Sequence, residues 1–379
     1  MIRILFIANT GRIIGGGEIS LLNLISSLDL SRYAPIVVVP EEGDFVDRLI
    51  VLNVNLMIIP LPSIRTIRFD RVILSIINIF MILRSQKIAL IHANGSRSML
   101  IAGLAALIAR VPCIWHLRIA KKTDCLLDRI LFMLSERVIA ISSAVRERLS
   151  WSKKQWKIRT IPNGVDIQLF HPNNRRYRQE ICRQLNINPY RPIICTISQI
   201  HPQKHLEIFI KAASHILLSV PDAQFIICGR EVSESTGHQK ELEKLAEALG
   251  ILDTIYFVGF YSDIHKILGA SDLFILSSLG EAFGRVVIEA MASGVPVIAT
   301  RSGGIPDILT HKRNGFLFPP LDYKTLSQFA IDVLTHPVLS EQMTGAALDM
   351  VMMDYSTKTH VEKIQALYEE IIDCRRISS

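Results

Sequence analysis

Short apolar runs of strand length alternate with segments of helical spacing, in two separate series along the 379 residues, and no other feature restricts the fold as much. In the first series the runs cover residues 3–8, 35–39, 56–59 and 88–92, with helical segments at 19–28, 72–83 and 98–110. Further strands are expected at 113–116 and 138–141. Strands that alternate with helices form a parallel sheet covered on both faces. The turn-forming stretch Ile161-Pro-Asn-Gly-Val-Asp interrupts the pattern and is followed by a polar, basic stretch at 173–178. A second series then runs through 193–198, 225–229, 255–259, 273–276 and 296–300.

The expected fold class is therefore α/β, with two Rossmann-like, doubly wound parallel-sheet domains at residues 1–170 and 171–354 and a tail at 355–379. Two domains is also what the length suggests at about 100–200 residues per domain. The tail sets Val361, Ile364, Leu367, Tyr368 and Ile371 on one stripe, so an amphipathic helix crossing back to the N-terminal domain is expected there. In open α/β sheets ligands bind beyond the carboxyl ends of the strands. The crevice between the two domains is thus the expected site.

Several function classes drop out. The longest uncharged apolar stretch, residues 72–83, is shorter than the roughly 20 residues that cross a bilayer. The N-terminal run suits a buried first strand better than a secretion signal, which makes Met1 the expected start of the mature chain. Six scattered cysteines form no C-x-x-C pair, so no zinc site or disulfide framework is expected and a cytoplasmic location fits. Nucleic-acid motifs, a Ser-His-Asp order and a nucleophile elbow are absent from the sequence. Residues 1–170 carry 22 Lys and Arg against 12 Asp and Glu, the remainder 20 against 23. A basic first half with apolar helices raises peripheral association with an anionic membrane surface, on the inner face of the cell membrane; a solvated basic face accounts for the same composition.

The strongest chemical signal lies in residues 277–300, where Glu281 and Glu289 stand eight residues apart. On a plain reading Glu281 initiates a helix and Glu289 is a solvated helical acid. Yet Glu289 is flanked by Ile288, Ala290 and Met291, which favours a buried or cleft position. On the functional reading Glu281 reaches a sugar, the helix N-terminus at Phe283, Gly284, Arg285 and Val286 offers N–H groups to a diphosphate, and Glu289 reaches ribose hydroxyls. Nearer the N-terminus, the loop Asn9-Thr-Gly-Arg-Ile-Ile-Gly-Gly-Gly-Glu joins the first strand to a helix. Its adjacent glycines are expected to let the backbone approach a ligand and adopt positive φ, a flexible turn without ligand being the alternative. The spacing departs from G-x-G-x-x-G, which disfavours a dehydrogenase.

The 277–300 segment resembles the E(x7)E signature of retaining glycosyltransferases of the family 4 type, which have the GT-B fold. Gly259, Ser271-Asp272, the run Arg301-Ser-Gly-Gly-Ile-Pro-Asp, Asn314-Gly-Phe-Leu-Phe and Tyr368 fall where that family has similar residues, and the resemblance runs from about Ile2 to Ile372. It implies that Lys204, in Ser198-Gln-Ile-His-Pro-Gln-Lys-His, neutralises the leaving diphosphate. Gln199 stands where the family usually has a second cation; Arg12, Arg230, His201 and His205 are the candidates to compensate. It also implies that Gly16 and Gly17 face the donor phosphates and acceptor, and that His116 hydrogen-bonds in the acceptor pocket. Leu117-Arg118 departs from the His-Asp that often stands there, and His92 and Asn94 close another strand similarly, which makes the acceptor side their candidate place without a catalytic role.

The resulting expectation is a retaining, metal-independent hexosyltransferase-like enzyme with Glu281, Lys204 and His116 as catalytic residues. Gly16, Gly17, Gln199, Lys204, Phe283, Gly284, Arg285, Val286 and Glu289 would bind the donor. Metal independence follows from the lack of any D-x-D in the sequence, so no cofactor is expected. The partners would be a nucleotide diphosphate sugar and a saccharide or lipid-linked acceptor, in polysaccharide or glycolipid synthesis, with no nucleic acid. A sugar-nucleotide epimerase of the same architecture, or a silent sugar-nucleotide-binding protein, are the alternatives.

Overall fold

The computed structural model describes residues 1–62, 69–120, 125–232 and 235–378, and the chain divides into two compact units, Met1–Gly164 with Thr357–Ser379, and Val165–Ser356. The first unit runs β1 (Ile2–Ile7), α1 (Gly16–Ser26), β2 (Tyr33–Val39), α2 (Asp44–Val51), β3 (Asn55–Ile58), α3 (Phe69–Ser85), β4 (Leu90–Ala93), α4 (Ser96–Ala109), β5 (Cys113–Leu117), α5 (Cys125–Leu134), β6 (Arg137–Ala140), α6 (Ser143–Glu147) and β7 (Ile158–Thr160). Its sheet has the order β3-β2-β1-β4-β5-β6-β7 and is parallel throughout. The chain winds outward from β1 to β3, then crosses to β4 on the other side of β1. Because parallel crossovers are right-handed, this reversal changes the covered face. Thus α1 and α2 lie on one face and α3 to α6 on the other.

The side chains agree with that division. Ile4, Phe6, Val37, Val39 and Ile139 share one core with Leu21 and Leu24 of α1 and Phe45 and Leu49 of α2. On the opposite face Cys113 meets Met99 of α4.

The second unit runs α7 (Arg178–Leu185), β8 (Ile193–Ile197), α8 (Leu206–Ile216), β9 (Gln224–Cys228), α9 (His238–Ala248), β10 (Ile255–Gly259), α10 (Ile264–Ala270), β11 (Leu273–Leu276), α11 (Arg285–Ala292), β12 (Val297–Thr300), β13 (Phe316–Phe318), α12 (Tyr323–Thr335) and α13 (Pro337–Met350). Its parallel sheet is ordered β10-β9-β8-β11-β12-β13, reversing between β8 and β11. The final helix, α14 (Thr357–Ser378), belongs to the first unit, where Val361, Ile364, Leu367, Tyr368 and Ile371 join the α1–α2 core.

The edge strands β7 and β13 have only three residues each, too few to show a periodic pattern in sequence. The basic stretch at 173–178 is an anchor: Arg175 and Arg178 hold Asp272 at 2.5 and 3.0 Å, and the same carboxylate accepts from the Ile193 N–H at 2.8 Å. Cys113, Cys182, Cys195, Cys228 and Cys374 are free thiols; the side chain of Cys125 lies outside the described residues. Among the described residues no helix is long and apolar enough to cross a membrane.

One buried ion pair ties α5 to the segment after α6. Asp128 receives Arg148 through two oxygens at 2.6 and 3.0 Å, with side chains 3% and 0% exposed, and Arg148 also donates to the Ile119 carbonyl. Removing one member strands the other charge out of water, so Asp128→Ala is expected to lower the stability of this unit by about 3–5 kcal/mol in denaturant unfolding. Removing Glu362 from its exposed pair with Lys358, 4.0 Å away, should change it by less than about 1 kcal/mol.

Candidate functional site

In the second unit the reversal between β8 and β11 brings two loops side by side. The loop after β8 ends in a 3₁₀ turn at Pro202–Lys204, started by His201, whose Nδ1 accepts from the Gln203 N–H at 3.1 Å. The loop after β11 is stitched to it: the Ser277 hydroxyl donates to the Lys204 carbonyl at 3.0 Å and the Leu279 N–H to the Gln203 carbonyl at 3.4 Å. As a result Lys204 Nζ meets Glu281 Oε1 at 2.5 Å. The sequence assigns these residues to different parts of a donor; the structure places them in direct contact, both partly open to solvent.

Glu281 is fixed by its backbone as well. Its carbonyl accepts from the Gly304 N–H at 2.8 Å, and the neighbouring Gly280 N–H donates to the Ser302 hydroxyl at 2.9 Å. Between them Gly303 has φ +61°, and a Cβ there would collide with the Glu281 carbonyl oxygen. The Arg301-Ser-Gly-Gly run is thus the clamp that holds the Glu281 loop.

Helix α11 begins at Arg285 rather than Phe283, with Gly284 at φ +97° as its N-cap. Phe283 is buried with its ring 6.1 Å from that of Tyr355, so only its backbone could serve a ligand, the role the sequence reading gave it. Glu289 is buried, and its Oε1 accepts from Arg285 Nη2 at 2.5 Å and Nε at 3.2 Å. Arg285 enters the sequence reading only through its backbone; the i,i+4 spacing to Glu289 was the available signal. Val286 is half-buried beside it.

Gln199 is exposed, and its carbonyl accepts from the Ser198 hydroxyl at 3.3 Å. Of the candidate replacement cations, Arg230 is the one whose carbonyl pairs with the adjacent Ile200 N–H, at 3.0 Å; its guanidinium lies over the Phe260 ring. His205 Nδ1 pairs with Glu207 at 2.8 Å, and Arg12 belongs to the other unit. Among the described residues no group of three or more His, Cys, Asp and Glu is placed to hold a metal ion.

In the first unit the glycine loop opens α1. Gly15, Gly16 and Gly17 are not among the glycines with positive φ, which corrects that expectation. Room is needed at Gly17, where a Cβ would press on Arg118 Cδ at 3.2 Å, but not at Gly15, where it would meet nothing. Arg118 in turn donates to Asn94 Oδ1 at 2.5 Å and Asn163 Oδ1 at 2.8 Å, and the Ser20 hydroxyl also donates to Asn163.

Behind Arg118 lies a buried chain of rings. Tyr368 Oη is 2.6 Å from His92 Nδ1, His92 Nε2 is 2.9 Å from His116 Nδ1, and Arg118 Nη2 stands 3.3 Å from that same Nδ1. Arginine only donates, so His116 Nδ1 accepts and the proton of the neutral ring sits on Nε2. His92 then donates through Nε2 and accepts from the tyrosine hydroxyl through Nδ1. Burial, reinforced by the Arg118 charge, pushes both histidines well below the usual range and so keeps them neutral. The chain ends in His116 Nε2, which is buried without a hydrogen-bond partner among the described residues. The sequence reading took Arg118 as a departure, set His92 and Asn94 on the acceptor side without a defined role and gave Asn163 none; nothing in their spacing could have joined them.

These geometries set two expectations. Between the ordinary histidine value near 6.5 and the depressed folded values, only the unfolded chain takes up protons. The stability of this unit should therefore fall as pH drops from 7 to 5, with a slope that approaches about 1.4 kcal/mol per pH unit for each ring below pH 6.5 and amounts to about 2 kcal/mol per ring over the whole interval. His116→Asn should remove one ring's share of that slope in denaturant melts. Gly303→Ala should displace the Glu281 loop and lower turnover by roughly two orders of magnitude, with the melting of the first unit unchanged.

Residues 177–350 match the family model described as Glycosyl transferases group 1, and residues 14–169 the model described as Glycosyltransferase Family 4. Among curated relatives, the chain is 28% identical over 239 residues to N-acetyl-alpha-D-glucosaminyl L-malate synthase of Bacillus anthracis, covering 63% of this chain and 60% of that one. It is 24% identical over 315 residues to UDP-Gal:alpha-D-GlcNAc-diphosphoundecaprenol alpha-1,3-galactosyltransferase of Escherichia coli, covering 79% of each. The fold is that of HepE from Anabaena, solved with UDP and glucose, at a TM-score of 0.83 and 24% identity over 97% of this chain and 99% of that one. A glycosyltransferase from Rickettsia africae superposes with a TM-score of 0.88 at 22% identity, covering 98% of both. The two family models together span most of the chain on this shared fold: the protein belongs to the GT-B glycosyltransferases of the family 4 type.

Proposed function

We propose that the protein transfers a glycosyl group, with retention at the anomeric carbon, from a nucleotide diphosphate sugar to a saccharide or lipid-linked acceptor in cell-surface polysaccharide or glycolipid synthesis. The observation that carries this reading is the Lys204–Glu281 contact at the strand-order reversal of the second unit, where open α/β sheets bind ligands. The curated relatives support the substrate class: one is named for transfer of galactose from UDP-Gal to a diphosphoundecaprenol-linked sugar, and HepE holds UDP-glucose in a solved complex.

In this mechanism the second unit holds the donor. The diphosphate draws the Lys204 ammonium from Glu281, and the carboxylate released is then available to the sugar hydroxyls. The bond between the anomeric carbon and the diphosphate oxygen breaks as the acceptor oxygen bonds to the same face of that carbon. The acceptor proton passes to the departing phosphate oxygen. Lys204 and the N-terminus of α11 stabilise the charge that develops there. Glu289, oriented by Arg285, anchors the ribose. The first unit serves the acceptor, with Gly16 and Gly17 giving close approach and His116 Nε2–H donating to a hydroxyl. No divalent metal takes part, a proposal that rests on the lack of D-x-D in the sequence.

The test is binding and slow hydrolysis of UDP-, GDP- and ADP-sugars in EDTA by the wild type, Glu281→Ala and Lys204→Ala. One donor should bind selectively and turn over, with each variant reducing turnover by about 10²–10³-fold. Binding without turnover would favour a silent sugar-nucleotide-binding protein, conversion of the donor to its epimer without acceptor an epimerase, binding of none would overturn the reading, and loss of turnover in EDTA would overturn metal independence.

A further inference from the structure

The Glu281 loop is held on two sides, and both holds lead to the same remote side chain. Behind Glu281, its carbonyl and the Gly280 N–H bond to Gly304 and Ser302, and the 3₁₀ turn Ile305–Asp307 follows directly. Ahead of it, the Phe283 ring is buried, and Gly284 lies so close to Ile305 that a Cβ there would come within 2.4 Å of its Cδ1. The clamp and the start of α11 thus pack on each other as one block.

Tyr355 braces both halves of that block. It is buried at the end of a π-helical turn, Val351–Tyr355, and single π-helical turns recur at functional sites. Its ring stands 6.1 Å from the Phe283 ring at 50°, and its hydroxyl donates to the Asp307 carbonyl at 2.8 Å. Burial, with the charges of Asp307 and Asp354, pushes that hydroxyl up to about 12, so it keeps the proton it donates. The backbone of Tyr355 is fixed in turn: its carbonyl accepts from the Val165 N–H at 2.8 Å, and Val165 pairs with Ser356. Val165 and Ser356 are the first and last residues of the second unit, so Tyr355 stands where the chain enters and leaves it. A phenylalanine would bury the same ring; only the hydroxyl reaches the clamp.

We propose that Tyr355 is a positioning residue for Glu281: through the Asp307 carbonyl and the Phe283 ring it sets where the clamp and the start of α11 hold the Glu281 carboxylate. A tyrosine buried for packing alone needs some partner for its hydroxyl. Here the partner lies in the segment that fixes the Glu281 backbone, and the ring lies against the residue two positions beyond Glu281. Displacing that loop moves the carboxylate against a bound sugar, and turnover is steeply sensitive to such displacement. Glu289 and Arg285 pair within α11 itself, beyond the braced segment, so donor affinity should survive. The inference rests on the role proposed above for Glu281.

The test is hydrogen exchange and steady-state turnover of the full chain, as wild type, Tyr355→Phe and Tyr355→Leu. The first substitution keeps the ring and loses the hydroxyl; the second loses both. In Tyr355→Phe the Gly280 and Gly304 amides should exchange about three- to tenfold faster, the effect of one lost hydrogen bond, while amides of β8 and β9 keep their rates. The kcat for donor hydrolysis should fall about tenfold, with donor KM changed by less than about twofold. Added to Glu281→Ala, Tyr355→Phe should have no further effect, because it acts through that carboxylate. Val333→Ala, buried on α12 outside the clamp, should lower the melting temperature and leave kcat unchanged. Were Tyr355→Leu to misfold, Tyr355→Phe decides alone. Equal acceleration of exchange across the unit, unchanged exchange at Gly280 and Gly304, or an undiminished effect of Tyr355→Phe in the Glu281→Ala background would overturn the proposal. Turnover of no donor by the wild type would instead refute the role of Glu281 in transfer, and exchange at the clamp would still decide whether Tyr355 holds it.

Discussion

Each sheet is wound outward from an interior strand, and the right-handedness of parallel crossovers makes the point of reversal the place where neighbouring strand ends open into diverging loops. Both units put their polar side chains there. In the second, the loops after β8 and β11 deliver Lys204 and Glu281 to each other. In the first, β1 and β4 are the diverging pair: Asn9, after β1, accepts from the Ser98 N–H at 3.0 Å, and a Cβ at Gly95 would collide with the Asn9 amide. Asn94 and His92 sit at the end of β4, within reach of Arg118 and His116 from the end of β5.

What surrounds these groups is chosen by the cost of leaving a buried polar atom unpaired, about 1–3 kcal/mol, and more for a charge. Asp272 meets two arginines and a backbone N–H, Asp128 meets Arg148 twice, and Glu289 meets Arg285 twice. The tyrosine–histidine chain follows the same rule. Each ring has one donor and one acceptor and passes the constraint on, so Arg118, which can only donate to His116 Nδ1, fixes the tautomers of both histidines and the direction of the hydrogen bond from the Tyr368 hydroxyl on the last helix.

The alternation of runs was enough to read two doubly wound sheets, because buried parallel strands are continuous apolar stretches and their helices carry the opposite period. It failed at β7 and β13, which have only three residues and are held as edges by their neighbours. In the site, Glu281, Lys204 and Glu289 were legible because they stand directly after strands or in a run with few other polar residues. Arg118, Asn163 and Tyr368 were not, since what joins them is the tertiary approach of β5, the loop after β7 and α14. For the triple glycine, sequence suggests positive φ, which the structure does not have; what it has is a close approach of Gly17 to Arg118.

The two glutamates of the 277–300 segment differ in how firmly each is held, and the difference bears on what each could do. Glu289 and Arg285 share one helix and are both nearly buried, at 4% and 11% side-chain exposure, so their pairing is rigid. Lys204 and Glu281 come from separate loops and keep 26% and 20% exposure. A pair that water still reaches is weakly held in free energy, on the order of 1 kcal/mol or less, even when its geometry is tight. Exchange of Lys204 onto an incoming anion therefore costs little, while the clamp of Ser302, Gly303 and Gly304 keeps the Glu281 backbone in place as its side chain changes partner. A rigid acid beside a readily exchanged one is the division of labour that a site needs when one part of its ligand must stay anchored and another must depart.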